Sequence, residues 1–366
     1  MKLSNIFDYT KRNTYVLRKK WQPFSLPEDE ICLNYGGVLA HHPNGIITGG
    51  MVKLQHLERH FPENRYRFNI LYLVSSALPK YAEELVAYCR DQGVKIVWNQ
   101  NGVGYEGWAG ESTERVNRPL RAMMHQADFI FYQSQFCKRS ADLFLGEITA
   151  PWEICYNSVD TSHFFPPAEI PSFETWNLLS AGTHLKWPGR VISALETVAV
   201  LKQRGHKVKF LLAGDLQWEN AKNEVVSVIT RLNIGNHVDI IYAYKQEDAC
   251  KLYQGSHLLL HPMYNDACPT VPIEAMACGV PVVGSKSGGT VEIVGENGGR
   301  LIDVPESWRK YHFPGPEEMA DAVVKIISNW AEYSRNARMR ASALFNTEAW
   351  IDTHLKVFRK VLESGR

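Results

Sequence analysis

Two carboxylates, Asp266 and Glu274, lie eight positions apart in the stretch NDACPTVPIEAMACGVPVVGSKSGG. The pattern predicts a proline-containing loop over 266–272, a short helix over 273–278 and an apolar strand after it. Glu274 would then lie in the first turn of the helix, where the helix dipole stabilises an anion, and capping alone would explain its presence. The pair indicates more, because carboxylates accept hydrogen bonds from sugar hydroxyls and main-chain N–H groups before a helix bind phosphate. A nucleotide sugar carries both kinds of group.

The elements that must position these acids follow a βα alternation. From Ile31 onward, short apolar runs alternate with longer amphipathic ones, which is typical of a parallel sheet buried between helices. Strands are predicted in two series, the first near 31–39, 68–74, 95–98, 129–133 and 152–156, the second near 177–181, 207–213, 238–242, 257–260, 281–284 and 300–302. Ligands bind beyond the carboxyl ends of such strands. Asp266 and Glu274 follow one of these strands and therefore lie at a predicted binding edge.

Length and composition favour two lobes. The chain has 366 residues, more than one ordinary core accommodates, and its 45% apolar and 22% charged residues are typical of globular proteins. The predicted domains are an N-terminal domain over 1–160 with an arm over 1–30, a proline-containing linker over 161–175, and a C-terminal domain over 176–345. A final helix over 346–366 is expected to cross back to the first lobe.

Charge and cysteine usage exclude several classes of function. With 40 basic and 39 acidic residues the net charge is +1, so no nucleic-acid partner is expected. Seven scattered cysteines without a C-x-x-C pair indicate reduced thiols in a cytoplasmic protein. No run of about 18 uncharged apolar residues occurs, so no membrane span is expected. The first residues alternate apolar and charged side chains, so no secretion signal is expected. The basic cluster of Lys11, Arg12, Arg18, Lys19 and Lys20 beside Trp21 has two interpretations, peripheral contact with an anionic membrane or acceptor and a solvated arm.

An ordered set of residues, with Asp266 and Glu274 in D-x7-E form, resembles the donor-site signature of the GT4 family of retaining glycosyltransferases. The likeness extends over most of the chain and includes Gly49, Gly50, Ala127, Asp128, Ser134, Asn157–Asp160, Phe165, Pro166, Lys186, Gly214, Pro269, Ala275–Ala277, Gly279, Pro281–Val283, Gly288 and Gly289. Members of that family have the GT-B fold. The resemblance therefore implies an α/β protein of two Rossmann-like, doubly wound parallel-sheet lobes that face an interdomain cleft, with the acceptor on the N-terminal side and the donor on the C-terminal side.

The resemblance also implies roles for individual residues. Glu274 would bind the ribose hydroxyls, Asp266 the transferred sugar, and Lys186 the departing diphosphate, and these three form the expected catalytic set. Main-chain N–H groups around Thr270 and Val271 would face the sugar and the distal phosphate. The other expected donor-binding residues are Gly49, Gly50, Gly182, Thr183, Arg190, Gly214, Tyr244 and Pro269.

The chain departs from the family pattern at three places. Thr183 stands where the family usually has Arg, and Trp187 replaces the Gly after Lys186. Lys186 is thus either the phosphate ligand or a solvated loop lysine, with Arg190 as a substitute. The first lobe has Asn99, Gln100 and Asn101 where the family often has a His. Amides can position a sugar hydroxyl but cannot take its proton, and Asn101–Gly102 is equally compatible with a plain turn.

Together these features predict transfer of a sugar from a nucleoside-diphosphate sugar, with an unidentified base, to a hydroxyl of a sugar, lipid-linked or other acceptor. Retention of configuration is expected, with His41 or His42 as the bases that an inverting enzyme would use. The absence of an Asp-x-Asp motif predicts independence of metal, and no cofactor is expected. The alternatives are a nucleotide-sugar-binding protein without transferase activity and a sugar-nucleotide epimerase. A glycosidase that uses the two acids is disfavoured by the parallel-sheet context.

Overall fold

The protein is seen in a computed structural model that describes residues 11–12, 14–15, 19, 22–39 and 49–364, apart from the side chains of Thr183, His184 and Gln246. The chain divides into two compact units. Unit 1 comprises Met1–Tyr156 and Glu348–Arg366, and unit 2 comprises Asn157–Thr347. In the described part of the chain, no helix is long and apolar enough to cross a membrane.

Unit 1 contains a parallel sheet whose described strands are ordered β1-β2-β3-β4-β5. These strands are β1 (Leu33–Asn34), β2 (Ile70–Val74), β3 (Lys95–Gln100), β4 (Phe129–Tyr132) and β5 (Trp152–Ile154). The helices are α1 (Gly49–His60), α2 (Ala82–Asp91), α3 (Glu106–Ala109), α4 (Thr113–Met124) and α5 (Gln135–Leu145). β2 and β4 are buried along their whole length, which is why they read as continuous apolar runs.

The last helix of the chain packs into the core of unit 1. This helix, α13 (Thr347–Glu363), buries apolar side chains three to four positions apart, among them Trp350, Val357 and Phe358. They share one core cluster with Leu54 of α1 and Tyr72 of β2. Residues distant in sequence therefore build this core together.

Unit 2 contains a second parallel sheet of described strands, ordered β11-β10-β9-β6-β7-β8. The strands are β6 (Trp176–Leu185), β7 (Val208–Leu216), β8 (Val238–Ile241), β9 (Leu258–His261), β10 (Val282–Ser285) and β11 (Gly299–Ile302). The helices are α6 (Pro188–Gln203), α7 (Ala221–Arg231), α8 (Ala249–Gln254), α9 (Thr270–Ala277), α10 (Thr290–Val294), α11 (Pro316–Ser328) and α12 (Trp330–Leu344). The first strand of the unit is central, as in a doubly wound sheet, so the chain reverses direction across the sheet beside β6.

Two local predictions were wrong. β6 does not end at Ala181 but continues to Leu185, so Gly182 and Thr183 lie within a strand. The strand continues through a register shift between Ala181 and His184, where a Cβ on Gly214 (φ 143°) would lie 1.9 Å from the carbonyl oxygen of Gly182. Two strands can approach this closely only because Gly214 has no side chain.

The helix that carries Glu274 also begins earlier than predicted. α9 begins at Thr270 rather than at position 273, and Glu274 lies in its second turn. Pro272 is compatible with the first turn because the N–H groups there have no partner within a helix. Stabilisation of the first helical turn therefore does not explain the presence of Glu274.

Part of the basic N-terminal arm is described. Nη1 of Arg12 lies 3.2 Å from Oε1 of Glu84, and burial lowers the pKa of Lys19. Arg18, Lys20 and Trp21 lie outside the described residues, as do His41 and His42.

Candidate functional site

Asp266 lies in the turn after β9, and its main chain is fixed by neighbouring residues. Its carbonyl oxygen accepts a 2.7 Å hydrogen bond from the N–H of Gly289. Gly288 has φ 60°, and a Cβ there would lie 2.5 Å from the same oxygen. The predicted Gly-Gly pair thus forms a turn against Asp266, whose side chain remains 31% exposed. The carboxylate is held at the carboxyl edge of the sheet and is open to a ligand.

Arg190 is a predicted site residue whose charge interacts with that of Asp266. It lies in the first turn of α6 and is buried, with Nη2 3.3 Å from the carbonyl oxygen of Ala181. Burial lowers its pKa, whereas the charges of Asp266 and Tyr244 raise it. A Cβ on Gly182 would lie 3.8 Å from both terminal nitrogens. The guanidinium of Arg190 therefore lies close to Gly182, next to position 183, where the family pattern expects an arginine.

Lys186 has a different environment from Arg190. It follows β6 directly and is exposed. Its ammonium makes no hydrogen bond or ion pair with any residue in the described part of the chain. The adjacent Trp187 stacks on Tyr311, with ring centroids 4.4 Å apart and planes 27° apart. Arg190 is thus buried and interacts electrostatically with Asp266, whereas Lys186 is exposed.

Glu274 is buried, and a residue that the sequence analysis missed holds its carboxylate. The hydroxyl of Tyr253, in α8, donates a 2.7 Å hydrogen bond to Oε2 of Glu274. Tyr253 is fully buried, and burial followed by the charge of Glu274 raises its pKa far above the ordinary value. The phenol thus stays protonated and acts as a donor.

The start of α9 is tied to the beginning of unit 2. Pro269 caps the helix, and Thr270 and Val271 form its first residues, whose N–H groups lack helical partners. Nδ2 of Asn157 lies 2.6 Å from the carbonyl oxygen of Cys268 and 3.2 Å from Oγ1 of Thr270. These bonds fix the loop that presents the helix N-terminus, the kind of site that binds anions.

Unit 1 has a buried lysine at the carboxyl ends of β3 and β4. Nζ of Lys53, from α1, donates three hydrogen bonds of 2.8 Å each to the side-chain oxygens of Asn99, Asn101 and Gln133. An ammonium has three protons, so these acceptors saturate it. Lys53 and Gln133 were not predicted, although Lys53 falls on the apolar stripe of α1, between buried positions 50 and 57.

The predicted amides of unit 1 take part in this network to different degrees. Nδ2 of Asn99 donates to the hydroxyl of Tyr72 at 2.9 Å, and Nδ2 of Asn101 donates to Oγ of Ser76. The side chain of Gln100 accepts a hydrogen bond from the indole of Trp98, in the same strand, and donates to the main-chain oxygens of Asn101 and Gly102. All three amides are buried.

The two predicted glycines of unit 1 begin α1. A Cβ on Gly50 would lie 2.4 Å from Oγ of Ser76, whereas a Cβ on Gly49 would meet nothing within 4 Å. A side chain at position 50 would thus disturb the amide network, and Gly49 leaves the helix start open. Among the described residues of both units, no three His, Cys, Asp or Glu side chains are grouped as metal ligands would be.

Comparisons with known proteins agree with this architecture. Residues 178–343 match the family described as glycosyl transferases group 1. The gpi3 subunit of phosphatidylinositol N-acetylglucosaminyltransferase from Schizosaccharomyces pombe is 19% identical over 272 residues, which are 74% of this chain and 56% of that protein. A D-inositol 3-phosphate glycosyltransferase from Mycobacterium sp. (strain JLS) is 24% identical over 220 residues, 58% of this chain and 48% of that protein. The chain thus spans about half the length of these curated relatives.

A solved structure shows the same fold. Anabaena HepE in complex with UDP and glucose has a TM-score of 0.64 and 16% identity, over 90% of this chain and 99% of its own. The prediction of a GT-B protein built from two Rossmann-like parallel sheets is confirmed by this likeness.

Proposed function

Because residues 178–343 match the family described as glycosyl transferases group 1, we propose that the chain transfers a sugar from a UDP-linked donor to a hydroxyl of an acceptor. The observation that carries the proposal is the partly exposed carboxylate of Asp266, which Gly288 and Gly289 hold at the carboxyl edge of the sheet in unit 2. The choice of UDP is supported by HepE, whose structure holds UDP and glucose.

Each part of the donor has a proposed partner. The ribose hydroxyls bond to Glu274, which Tyr253 holds in place, and the hydroxyls of the transferred sugar bond to Asp266. The diphosphate meets the N–H groups of Thr270 and Val271 and a cation of unit 2. Arg190 is the better placed cation, and the role of Lys186 stays a prediction.

We propose that the reaction retains the anomeric configuration. The bond between the anomeric carbon and the β-phosphate oxygen breaks, and a bond from the acceptor oxygen to that carbon forms on the same face. The acceptor proton passes to the departing phosphate, so the products are the glycoside and UDP. The amides of unit 1 support this route, because the side-chain oxygens of Asn99 and Asn101 accept hydrogen bonds from Lys53 and an amide cannot take a proton near neutral pH.

Independence of metal is also part of the proposal. It is supported by the positive charge of Arg190 and the start of α9, which would meet the departing diphosphate. Treatment with EDTA should leave initial rates of UDP release nearly unchanged, and a rate restored only by added magnesium or manganese would contradict the proposal.

The acceptor is proposed from the relatives alone. Their names give phosphatidylinositol and D-inositol 3-phosphate as acceptors, which supports an inositol-type polyol for this chain. The positions of Asn99, Gln100 and Asn101 beside Lys53 are compatible with an acceptor-side role. A cytoplasmic location stays a prediction, supported by seven free cysteines.

Thermal shift with UDP, GDP, ADP and CDP tests the donor. A ligand at 100 times its dissociation constant adds about 2.7 kcal/mol to stability, and UDP should give the largest shift. Release of UDP from UDP-glucose or UDP-N-acetylglucosamine in the presence of an inositol then distinguishes a transferase from a protein that only binds nucleotide sugars. Proton NMR of the new linkage tests retention, since an α-linked donor should give an α-linked product. No shift with any nucleotide would contradict the proposed function.

A further inference from the structure

His261 is a buried histidine whose ring nitrogens make no hydrogen bond to the described residues. It is the last residue of β9, between β6 and β10, and only 2% of its side chain is exposed. Neither ring nitrogen has a hydrogen-bond partner among the described residues. A buried polar group without a partner costs about 1 to 3 kcal/mol, so its presence needs an explanation.

The imidazole lies directly behind the carboxylate proposed to bind the transferred sugar. Nε2 of His261 is 3.7 Å from Oδ2 of Asp266, within the range of an ion pair and beyond that of a hydrogen bond. Asp266 thus has a buried imidazole on one side and solvent on the other. Because the main chain of Asp266 is held by Gly289, rotation of the carboxylate side chain is the movement that closes this gap.

Burial of the ring favours its neutral form. Burial lowers the pKa of His261, the carboxylate of Asp266 opposes this shift, and the nearby charge of Arg190 reinforces it. A neutral imidazole has one N–H donor. With the proton on Nε2, the ring can donate to Asp266 without adding charge to the site.

We propose that His261 is a positioning residue of the donor site, whose Nε2–H bonds Asp266 when a UDP-sugar is bound and holds that carboxylate against the sugar hydroxyls. The proposal rests on the proposed function. A sugar over Asp266 displaces water from its exposed side, which strengthens the bond on the buried side. Hydrogen bonds within an active site are often long in the free protein and shorten when the substrate is bound.

This role separates His261 from the residues that bind the nucleotide. UDP lacks the sugar that Asp266 would hold, so the loss of His261 should weaken the binding of UDP-sugar more than that of UDP. A merely structural role would weaken both ligands equally. The difference between the two ligands is therefore the signature of positioning.

Titration calorimetry with UDP, UDP-glucose and UDP-N-acetylglucosamine tests the proposal on the full chain. His261→Leu fills the buried position without a donor, and His261→Gln retains an N–H. For the UDP-sugar that the wild type binds more tightly, we expect His261→Leu to lose about tenfold in affinity, which equals about 1.4 kcal/mol. Affinity for UDP should stay within about twofold, and His261→Gln should recover part of the loss.

A double-mutant cycle with Asp266→Ala provides the matched control. If His261 acts through Asp266, His261→Leu should have no further effect on UDP-sugar affinity once Asp266 is replaced. Unchanged affinity in His261→Leu, or an equal loss for UDP and UDP-sugar in both His261 variants, would overturn the inference and leave the proposed function intact. A wild type that binds neither UDP nor the two UDP-sugars would instead contradict the proposed function.

Discussion

The hydroxyl of Tyr253 donates a 2.7 Å hydrogen bond to Oε2 of Glu274, and both side chains are buried in unit 2. The bond joins α8 to the second turn of α9, through two residues 21 positions apart in sequence. It occupies one lone pair of a carboxylate that has the ribose hydroxyls as its proposed ligand. The orientation of the ligand-binding group is thus set before a nucleotide arrives.

We predict that Glu274→Ala weakens UDP binding by about 1.5 to 3 kcal/mol, the range for hydrogen bonds to a charged group. Tyr253→Phe should weaken it less, by about 1 kcal/mol, because the carboxylate remains but loses its orientation. Titration calorimetry with UDP measures both. Tyr333→Phe, which removes a hydroxyl elsewhere in unit 2, is the matched control and should bind as the wild type does. Wild-type affinity in Glu274→Ala would show that the ribose is bound elsewhere.

Arg190 and Lys186 are the two candidate cations for stabilising the departing diphosphate. Arg190 is buried and interacts electrostatically with Asp266, whereas Lys186 is exposed, so the buried cation should contribute more to catalysis. We expect Arg190→Gln to lower kcat/KM for a UDP-sugar by about 100-fold or more, and Lys186→Gln to lower it by less than about tenfold. Initial rates of UDP release measure both, with circular dichroism as a check on folding. The reverse order would restore Lys186 as the principal phosphate ligand.

The stability of unit 1 should depend on the hydrogen bonds of Lys53. Lys53→Met keeps the length of the side chain but leaves the oxygens of Asn99, Asn101 and Gln133 buried without their donor. We expect a loss of roughly 2 to 4 kcal/mol in the free energy of unfolding, measured by urea titration. Lys80→Met, at an exposed lysine whose nearest contact is the ring of Tyr81, should change stability by less than about 0.5 kcal/mol. Equal stability of the two variants would mean that the amides rearrange freely.

The positions of the strands, and the placement of Asp266 and Glu274 beyond the carboxyl end of one of them, could be predicted from the sequence. Fully buried parallel strands read as apolar runs, so each predicted strand overlaps an observed one. Asp266 and Glu274 were recognisable because their spacing is local. The errors lie at element ends: β6 passes Ala181 because Gly182 and Gly214 allow a close approach of two strands, a tertiary contact that the sequence of one strand does not contain.

The residues that support the site were harder to foresee, for two different reasons. Tyr253 reaches Glu274 across two helices, and no local pattern encodes that contact. Lys53 and His261 did leave a signal, since each occupies a position within an apolar pattern, on a helix stripe and at the end of a buried strand respectively. A charged or polar residue at such a position predicts a buried polar network, because burial without partners would be costly.

His354 makes the stability of unit 1 dependent on pH. The ring is fully buried in α13, with Nε2 2.9 Å from the hydroxyl of Tyr72 and Nδ1 2.8 Å from the carbonyl oxygen of Trp350. Burial lowers the pKa of His354 to about 3, the hydrogen bond to Trp350 opposes the shift, and the charge of Lys53 adds to it. The folded protein therefore keeps this ring neutral in mildly acidic solution, whereas the unfolded chain takes up a proton near the ordinary pKa of about 6.5.

The sign of the resulting pH dependence follows from this difference. Above about pH 6.5 both states are neutral at position 354, and the stability associated with the neutral ring is fully present. As the pH falls from about 6.5 toward 3, only the unfolded chain is protonated, so the free energy of unfolding should drop by about 1.4 kcal/mol per pH unit from this group. Urea titrations at intervals between pH 7.5 and 5 measure the slope. His354→Gln should be less stable at pH 7.5 but show a slope smaller by about that amount, whereas His60→Gln, at an exposed position of α1, should keep the wild-type slope. An identical slope in wild type and His354→Gln would show that the ring is protonated in the folded protein, contrary to its burial.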